Sequence, residues 1–344
     1  MALYQIKLTP VDTFFFGGEK HDSNEKANYF VESNCYPQQT TILGFLRYLL
    51  LIKNDLIGTN KIKTEGEPII GNESFDYNNH DQTFGKIGSI SPLYFINNNE
   101  IYFPAPLDFE YEMGQVNSNY FLLKKDKKYT AKNDPPNLKL ISIKGESLID
   151  LYSLDPGKSI VFPVNQAGNE KAEEGTSKDE KFYKQTSMKM NPGWSYAIKA
   201  EISLDLTDEI LFLPFGGEKS LFKVEISKSN DKTEFGSKLN NYSRQLPLIY
   251  FLSDSFAESE ISSLVAFAVN SNVSFRNLRS NVNTENYSAL GKNTNGLKRS
   301  SRYNLITRGS VLYFENSEKR TEALKILEKK HCSKIGFNYF KLIN

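Results

Sequence analysis

Histidine is the side chain that most often acts as a catalytic base near neutral pH. This chain of 344 residues contains three, at positions 21, 80 and 331. Their spacing matches no metal-ligand motif with one another or with cysteine. The sequence contains no P-loop, nucleophile elbow or dinucleotide fingerprint. His21 is the one candidate base, since it follows a glycine-rich segment and could activate a ribose 2′-hydroxyl for metal-independent RNA cleavage. A loop histidine that contacts only solvent or phosphate is the simpler interpretation.

A short repeated segment offers binding chemistry instead. Gly-Gly-Glu-Lys occurs at residues 17–20 and again at 216–219, each time directly after a phenylalanine. Paired glycines allow positive φ and let another molecule approach the backbone, and the lysine adds a charge at that point. We expect close approach to RNA or to a neighbouring subunit, although two similar turns can share a tetrapeptide by chance. Glu19 and Glu218 would repel phosphate, so we expect them to accept hydrogen bonds from base edges or to brace their loops.

Positive charge is concentrated at the C-terminal end of the chain. The formal net charge is +1, but residues 276–344 contain 14 lysine and arginine residues against 5 acidic ones, a net of +9. The first 275 residues therefore carry a net charge of −8. Such asymmetry predicts a phosphate-bearing partner near the basic segment. A solvated helix near residues 319–330 would explain part of the excess.

Aromatic side chains accompany several of these cations. Tyr303 follows Arg302, and Phe337 and Tyr339 lie between Lys334 and Lys341. RNA is commonly bound by stacking unpaired bases on aromatic rings while lysine and arginine hold the backbone. We expect Phe337 to pack in the core and Tyr339 to be available for stacking.

The elements that must position these residues are strands and helices in mixed order. Residues 3–9 alternate as a strand, and 94–103 form a hairpin around three asparagines. A helix follows Thr40 or Thr41 as N-cap, with Gly44 expected at a close contact with a sheet. Further strands are predicted near 196–204, 210–213, 221–227, 248–252, 311–314 and 335–342, and further helices at 258–268 and 318–330. The polar stretches 114–137 and 165–185 read as exposed insertions.

This order predicts an α+β fold. A strand, a helix and a hairpin recur in both halves, which favours two ferredoxin-like (RRM-like) domains with variable loop insertions. The predicted boundaries are residues 1–190 and 191–344. The two Gly-Gly-Glu-Lys segments would then be equivalent loops on two similar sheets.

The sequence shows no clear sign of disulfide bonding, secretion or membrane insertion. Cys35 and Cys332 form no disulfide framework, and the N-terminus alternates as a strand without the apolar core of a signal peptide. The apolar stretch 42–52 is interrupted by Arg47 and is too short to cross a bilayer. We expect a cytoplasmic protein with no membrane partner.

Six motifs along the chain resemble one family. They are Phe-Phe-Phe-Gly-Gly-Glu (14–19), Pro-Gln-Gln-Thr-Thr-Ile-Leu-Gly-Phe-Leu-Arg (37–47), Tyr-Phe-Pro-Ala-Pro-Leu-Asp (102–108), Leu-Pro-Phe-Gly-Gly-Glu-Lys (213–219), Arg-Gly-Ser-Val-Leu-Tyr-Phe-Glu (308–315) and Ile-Gly-Phe-Asn (335–338). In this order they are similar to the CRISPR type III-B (Cmr) subunit of the RAMP superfamily that caps the 5′ handle of the guide RNA. The glycine-rich terminal loop typical of RAMP proteins is reduced to Gly336 and its neighbours.

The resemblance implies a non-catalytic subunit of an antiviral effector complex, without cofactor or metal. Its expected partners are the crRNA 5′ handle, the large polymerase-like Cmr subunit and the backbone RAMP subunit of the filament. Lys20 and Lys219 would hold phosphates, and Gln38, Gln39 and Asn338 would read bases. Arg47 could equally be a structural ion-pair partner. The residues expected near RNA are Gly17, Gly18, Lys20, His21, Gln38, Gln39, Thr40, Arg47, Gly216, Gly217, Lys219, Arg276, Arg279, Lys298, Arg299, Arg302, Asn338 and Tyr339.

Two other functions remain open at this point. One is a metal-independent crRNA-processing endoribonuclease of the same fold, with His21 as general base. The other is a protein-only adaptor that contacts no RNA.

Overall fold

A computed structural model describes most of the chain. The described residues are 1–17, 29–58, 64–71, 73–108, 139–142, 148–171, 177–206, 209–230, 246–280 and 297–343. The strands that precede residue 191 are β1 (Ala2–Pro10), β2 (Tyr29–Glu32), β3 (Ile87–Ile90), β4 (Tyr94–Asn97), β5 (Glu100–Pro104), β6 (Lys139–Ser142), β7 (Leu148–Tyr152), β8 (Ser159–Lys171) and β9 (Ser177–Met190).

The remaining strands and the helices complete the described elements. The later strands are β10 (Trp194–Ile202), β11 (Glu209–Pro214), β12 (Leu221–Lys228), β13 (Leu248–Phe251), β14 (Phe267–Val269), β15 (Asn272–Phe275), β16 (Leu278–Ser280), β17 (Leu297–Arg299), β18 (Tyr303–Ile306), β19 (Val311–Tyr313) and β20 (Phe340–Ile343). The helices are α1 (Gln39–Lys53), α2 (Glu67–Ile70), α3 (Ile261–Leu264), α4 (Ser317–Leu327) and α5 (Lys330–Ser333), with a 3₁₀ turn at Thr64–Gly66.

One large sheet of twelve strands organises the fold. Its order is β11-β12-β1-β10-β4-β5-β6-β7-β8-β9-β2, and β3 also pairs with β10. In β1 the alternating residues Tyr4, Ile6 and Leu8 are fully buried, as the period of a strand with one covered face requires. Helix α1 buries six apolar residues in the same core cluster, namely Ile42, Leu43, Phe45, Leu46, Leu49 and Leu50.

A second sheet, of four strands, packs on the opposite face of the large one. Its order is β14-β19-β13-β20, with all pairs antiparallel. Tyr94 and Ala197 of the large sheet share a core cluster with Tyr250 of the small one. The far face of the small sheet packs with Ala323 and Leu327 of α4. The layers are therefore helix, large sheet, small sheet and helix.

These layers confirm an α+β fold and leave the domain assignment a prediction. The small sheet has the element order β-α-β-β-α-β along residues 248–343, which is that of a ferredoxin-like unit. The large sheet, however, joins strands from both sides of residue 190, because β1 pairs with β10 and with β12. Two ferredoxin-like domains divided at residue 190 therefore remain a prediction.

Several predicted elements differ in the structure. The hairpin of β4 and β5 is confirmed, and Asn98 and Asn99 take positive φ in its turn. The polar stretch 165–185 falls largely in the strands β8 and β9, which pair along most of their length. The helix predicted at 258–268 is reduced to α3, which β14 follows. The predicted strand 335–342 begins only at Phe340, because α5 and a turn occupy the residues before it. No helix among the described residues is long and apolar enough to cross a membrane.

The start of α1 also differs from expectation. The N-cap is Gln38, which makes no side-chain cap hydrogen bond, so neither Thr40 nor Thr41 caps the helix. Gly44 lies on the exposed side of α1, and a Cβ at this position would meet nothing within 4 Å. Close packing on a sheet is therefore not the reason for this glycine.

Candidate nucleic-acid interface

The two Gly-Gly segments meet each other. Phe15 forms an isolated antiparallel bridge with Gly217, whose backbone N–H donates to the Phe15 carbonyl at 2.8 Å. Gly216 has a φ of +89°, and a Cβ there would lie 2.7 Å from the Phe15 carbonyl oxygen. The equivalence of the two loops remains a prediction, because residues 18–20 of the first lie outside the described residues. The molecule that closely approaches Gly216 and Gly217 is this chain itself.

Parts of these segments still face outward. Gly17 and Gly216 are exposed, and so is the side chain of Lys219 in the turn between β11 and β12. Gly18, Lys20 and His21 lie outside the described residues. Phosphate binding by Lys20 and base catalysis by His21 therefore remain predictions.

Two of the three amides expected to read bases serve the fold instead. Gln39 is fully buried, and its Nε2 donates to the Ser91 carbonyl at 3.1 Å. Asn338 is 5% exposed, its Oδ1 accepts from the Phe256 N–H, and its Nδ2 donates to the carbonyls of Phe256 and Leu327. An RNA base could reach either amide only if the fold released it. The prediction that Gln39 and Asn338 read bases is therefore corrected, because both amides are buried and bonded within the fold.

Arg47 has a local structural role. Its Nη2 donates to the Glu73 carbonyl at 2.6 Å, and its guanidinium carbon lies 5.6 Å from the centre of the Phe84 ring. Burial lowers its pKa to about 10. These partners are a carbonyl group and a ring, so the predicted ion pair is replaced by other contacts that hold the side chain. Of the remaining candidates, Gln38, Thr40 and Tyr339 are half-buried.

The basic candidates of the C-terminal segment come together on two consecutive two-stranded ladders and the residues between them. Strand β15 pairs with β18, and β16 pairs with β17, so residues 272–280 run antiparallel to 297–306. We call these two stretches the basic ribbon. Its five charged residues are all cations, namely Arg276, Arg279, Lys298, Arg299 and Arg302.

The register of the basic ribbon places like charges opposite each other. Arg279 is the cross-strand partner of Lys298. Arg276 and Arg302 are both exposed and flank the Phe275–Tyr303 pair at the same end. Like charges directly opposite in an antiparallel pair destabilise it. An anion bound at the ribbon would remove that cost.

An aromatic cluster anchors the base of the ribbon. Asn277 Nδ2 donates to the Phe75 carbonyl at 2.7 Å, and the Phe275 side chain is almost fully buried. Tyr303 is half-buried, and the centres of its ring and the Tyr77 ring are 5.3 Å apart. Tyr77 in turn stacks on Phe256 at 4.6 Å. The ribbon is therefore held to a rigid support beside partly exposed rings.

Sequence reasoning did not identify the histidines beside this cluster as neighbours. The rings of exposed His80 and buried His331 stack at 4.3 Å, and His331 Nε2 is 2.9 Å from the Tyr77 carbonyl oxygen. Burial, and then the charge of His80, lower the pKa of His331. The two residues are 251 positions apart, so their pairing has no local signal. The signals of this surface in the sequence were the excess of cations after residue 275 and an aromatic residue next to a cation, as at Arg302 and Tyr303.

Other cations of the same segment are paired with carboxylates. Arg308 lies almost fully buried, with its Nη2 2.8 Å from Asp254 Oδ2, and its guanidinium carbon is 4.1 Å from the centre of the Tyr36 ring. Burial alone would raise the pKa of Asp254, but the charge and hydrogen bonds of Arg308 hold it below its ordinary value. Lys319 pairs with Glu315 at 2.7 Å. The basic segment thus contains both structural cations and the ribbon.

Comparisons with known proteins bear on the family and the fold. A model of the family described as CRISPR-associated protein (Cas_Cmr3) matches residues 6–148 and 164–344. A chain in the cryo-EM structure of the type III-B Cmr-beta complex bound to cognate target RNA and AMPPnP, state 1, is 16% identical with a TM-score of 0.50, over 99% of each chain. A chain in the Cmr-beta complex bound to cognate target RNA is 17% identical with a TM-score of 0.51, over 99% of this chain and 98% of that one. No curated protein matches the sequence significantly. At these identities the two structures show a shared fold.

Proposed function

This chain belongs to the Cas_Cmr3 family of CRISPR-associated proteins and is a RAMP-like subunit of the type III-B (Cmr) kind, and we propose that it binds the 5′ handle of the guide RNA and joins neighbouring subunits in the effector complex. In this role it is non-catalytic. Base pairing of the guide selects the target, while the protein recognises the handle. The complex would act in antiviral defence.

The basic ribbon is the observation that carries the RNA-binding part of the proposal. The ribbon contains five cations and no acidic residue, and the register of β16 and β17 pairs Arg279 with Lys298. Phosphates bound between the strands would replace the repulsion between these like charges with attraction. A two-stranded ribbon is also narrow enough to lie along a single-stranded handle, whose backbone presents one phosphate per nucleotide.

The aromatic cluster supports the same surface. Unpaired bases stack on exposed rings, at roughly 1–3 kcal/mol per base. Tyr303 and Tyr77 are half-buried beside the exposed Arg276 and Arg302. The Asn78 Nδ2 bond to the Tyr303 hydroxyl, at 3.3 Å, fixes one of these rings. Cations and rings therefore occur together in the arrangement that single-stranded RNA requires.

The expected protein partners are the large polymerase-like subunit and the backbone RAMP subunit. The two cryo-EM structures that share this fold are Cmr-beta complexes with target RNA. A chain with the same fold over its whole length is suited to the same kind of assembly. Lys219, exposed in the β11–β12 turn, is a further candidate for contact with RNA or a partner.

The proposal is tested by photo-crosslinking in a complex reconstituted with guide RNA that carries 4-thiouridine in the handle. Crosslinks are expected at residues 272–280 and 297–306. The double variant Arg279→Glu, Lys298→Glu should lose them and retain less guide RNA. The matched control is Lys158→Glu, Lys319→Glu, which reverses two exposed lysines that already have acidic partners.

Two results would overturn the proposal. One is handle crosslinks confined to other subunits in the wild-type complex, which would leave this chain a protein-only adaptor. The other is cleavage of repeat RNA by the purified chain that His21→Ala abolishes, because that would identify an endoribonuclease.

A further inference from the structure

Strand β11 forms an edge of the large sheet, and among the described residues it pairs with β12 alone. The Phe215 N–H donates to the Ser220 carbonyl at 2.9 Å, so the alternation of an antiparallel ladder turns the N–H and C=O groups of Leu213 and Leu211 toward β12. The main-chain groups of Ile210 and Phe212 then point away from the sheet. The main-chain groups of Pro214 point outward as well, so its missing N–H removes no hydrogen bond to β12.

The side chains on the open face of this edge are apolar. Phe212 is 59% exposed, Ile210 57%, Val11 54% and Leu221 43%. Val11 N–H donates to the Leu221 carbonyl, and Leu221 is the cross-strand partner of Pro214, so these residues lie on adjacent strands. We call Val11, Ile210, Phe212 and Leu221 the edge patch. Proteins usually protect edge strands with charges or bulges, and this edge instead presents a phenylalanine and an isoleucine.

The charged side chains beside the edge patch have partners of opposite sign. Glu225 pairs with both Lys223 at 3.0 Å and Lys7 at 3.7 Å, and Lys53 pairs with Glu209. An open groove of about 470 Å³ lies along the same face, between Ile210 and Gln5. A surface of apolar side chains, charges held in ion pairs and outward-pointing main-chain groups suits an extended protein segment better than RNA, which requires a larger excess of cations.

We propose that an extended segment of another protein subunit of the effector complex adds to β11 as a further strand. Its main chain pairs with the outward groups of Ile210 and Phe212, and its apolar side chains cover the edge patch. Strand addition of this kind takes affinity from main-chain hydrogen bonds and specificity from side chains on one face. The inference rests on the proposed function, because membership of a multi-subunit complex supplies the partner.

The first test places the photoreactive residue p-benzoylphenylalanine at position 210 in the assembled complex with its guide RNA. The expected product is a crosslink to one peptide of a different subunit. Crosslinks to RNA alone, to a second copy of this chain, or to no chain would each overturn the proposal.

The second test separates the contribution of the side chains to affinity from that of the main-chain hydrogen bonds. Phe212→Asp introduces a charge into the edge patch, and Ile210→Pro removes an outward N–H while leaving the β12 ladder intact. Each should reduce the affinity of the crosslinked subunit at least tenfold. Leu154→Asp is the control, since Leu154 is 80% exposed in a different part of the chain. Equal affinity in all three variants would contradict the proposal.

Folding and RNA binding are measured in parallel. Phe212→Thr keeps a strand-forming residue, so it provides the affinity measurement if Phe212→Asp fails to fold. The edge variants should retain guide RNA at the wild-type level, whereas charge reversal in the basic ribbon should lose RNA and keep the partner subunit. Failure of the RNA-binding proposal is thereby distinguishable from failure of this one.

Discussion

The basic ribbon and the edge patch are both built from antiparallel strands, but their charges are arranged in opposite ways. In the ribbon the strand register pairs Arg279 with Lys298, and neither stretch contains an acidic residue. Beside the edge patch, Lys7 and Lys223 share Glu225. The chain as a whole has a net charge of +1. The local balance of acidic and basic residues, rather than the net charge of the chain, therefore distinguishes the surface suited to RNA from the surface suited to protein.

A third group of cations sharpens this comparison, because it is paired inside the fold. Arg308 belongs to the same basic segment as the ribbon but forms a buried pair with Asp254. Arg308→Ala should lower the free energy of unfolding by about 3–5 kcal/mol, since it leaves a buried carboxylate without its partner. Denaturant unfolding of the purified chain measures this. Handle affinity of the folded protein should not change.

Two further measurements check the Arg308 prediction. The double variant Arg308→Met, Asp254→Leu should recover much of the loss, because no charge is then left unpaired. The pKa of Asp254 in the folded state lies below its ordinary value of 3.8, so the stability from the pair is present above about pH 4 and is lost as the pH falls through the lowered pKa. A stability curve that does not decline in acid, or a fully destabilised double variant, would contradict this account.

The salt dependence of handle binding tests the ribbon itself. The double variant Arg279→Gln, Lys298→Gln removes two charge-assisted contacts, so affinity should fall about 100-fold, or roughly 3 kcal/mol. The slope of log K against log salt should become shallower by about 0.7 for each lost phosphate contact on a single strand. Fluorescence anisotropy with a labelled handle across a salt series measures both values.

An unchanged slope would show that these residues do not contact phosphate. Lys158→Gln, Lys319→Gln is the control, since each lysine already has an acidic neighbour in its own loop or helix. Its slope should match that of the wild type.

How far the sequence predicts these surfaces depends on the range of the interactions involved. The excess of cations after residue 275 is a local property, and it located the ribbon. The register that sets Arg279 against Lys298, and the support from Phe75 and Tyr77, depend on contacts between distant parts of the chain. The strand at 210–213 was also predictable from its residues. Its position at the edge of the sheet was not, because strand order is a property of the whole fold.

Polar residues show the same limit. Gln38 and Gln39 are identical in type and adjacent, yet one is half-buried and the other is sealed against Ser91 and Gly336. Side-chain chemistry alone made both candidates for base reading. The meeting of Phe15 with Gly217 explains the glycines of the second segment by a contact across 202 positions.

The contact between Phe15 and Gly217 can be tested by substituting alanine for glycine. Gly216→Ala should lower the free energy of unfolding by about 1–3 kcal/mol, because φ is +89° and the new Cβ would meet the Phe15 carbonyl. Gly44→Ala is the matched control, and it should raise stability by roughly 1 kcal/mol in the exposed face of α1. Thermal and denaturant unfolding measure both changes. A stable Gly216→Ala protein with reduced RNA binding would instead favour direct contact of this loop with RNA.

The smallest expected effect comes from undoing the charge pairing beside the edge patch. Glu225→Gln leaves Lys7 and Lys223 without their shared carboxylate, so this face gains two unpaired cations. Since exposed ion pairs contribute at most about 1 kcal/mol, stability should change little. Non-specific binding of a poly-uridine oligonucleotide at low salt should rise only a few-fold and disappear at higher salt. Glu315→Gln, which removes the partner of Lys319, provides a control with one freed lysine. The Glu225→Gln protein could bind no more oligonucleotide than this control. Unpaired charge alone would then not make an RNA surface, and the aromatic cluster beneath the ribbon would be the feature that distinguishes it from the edge patch.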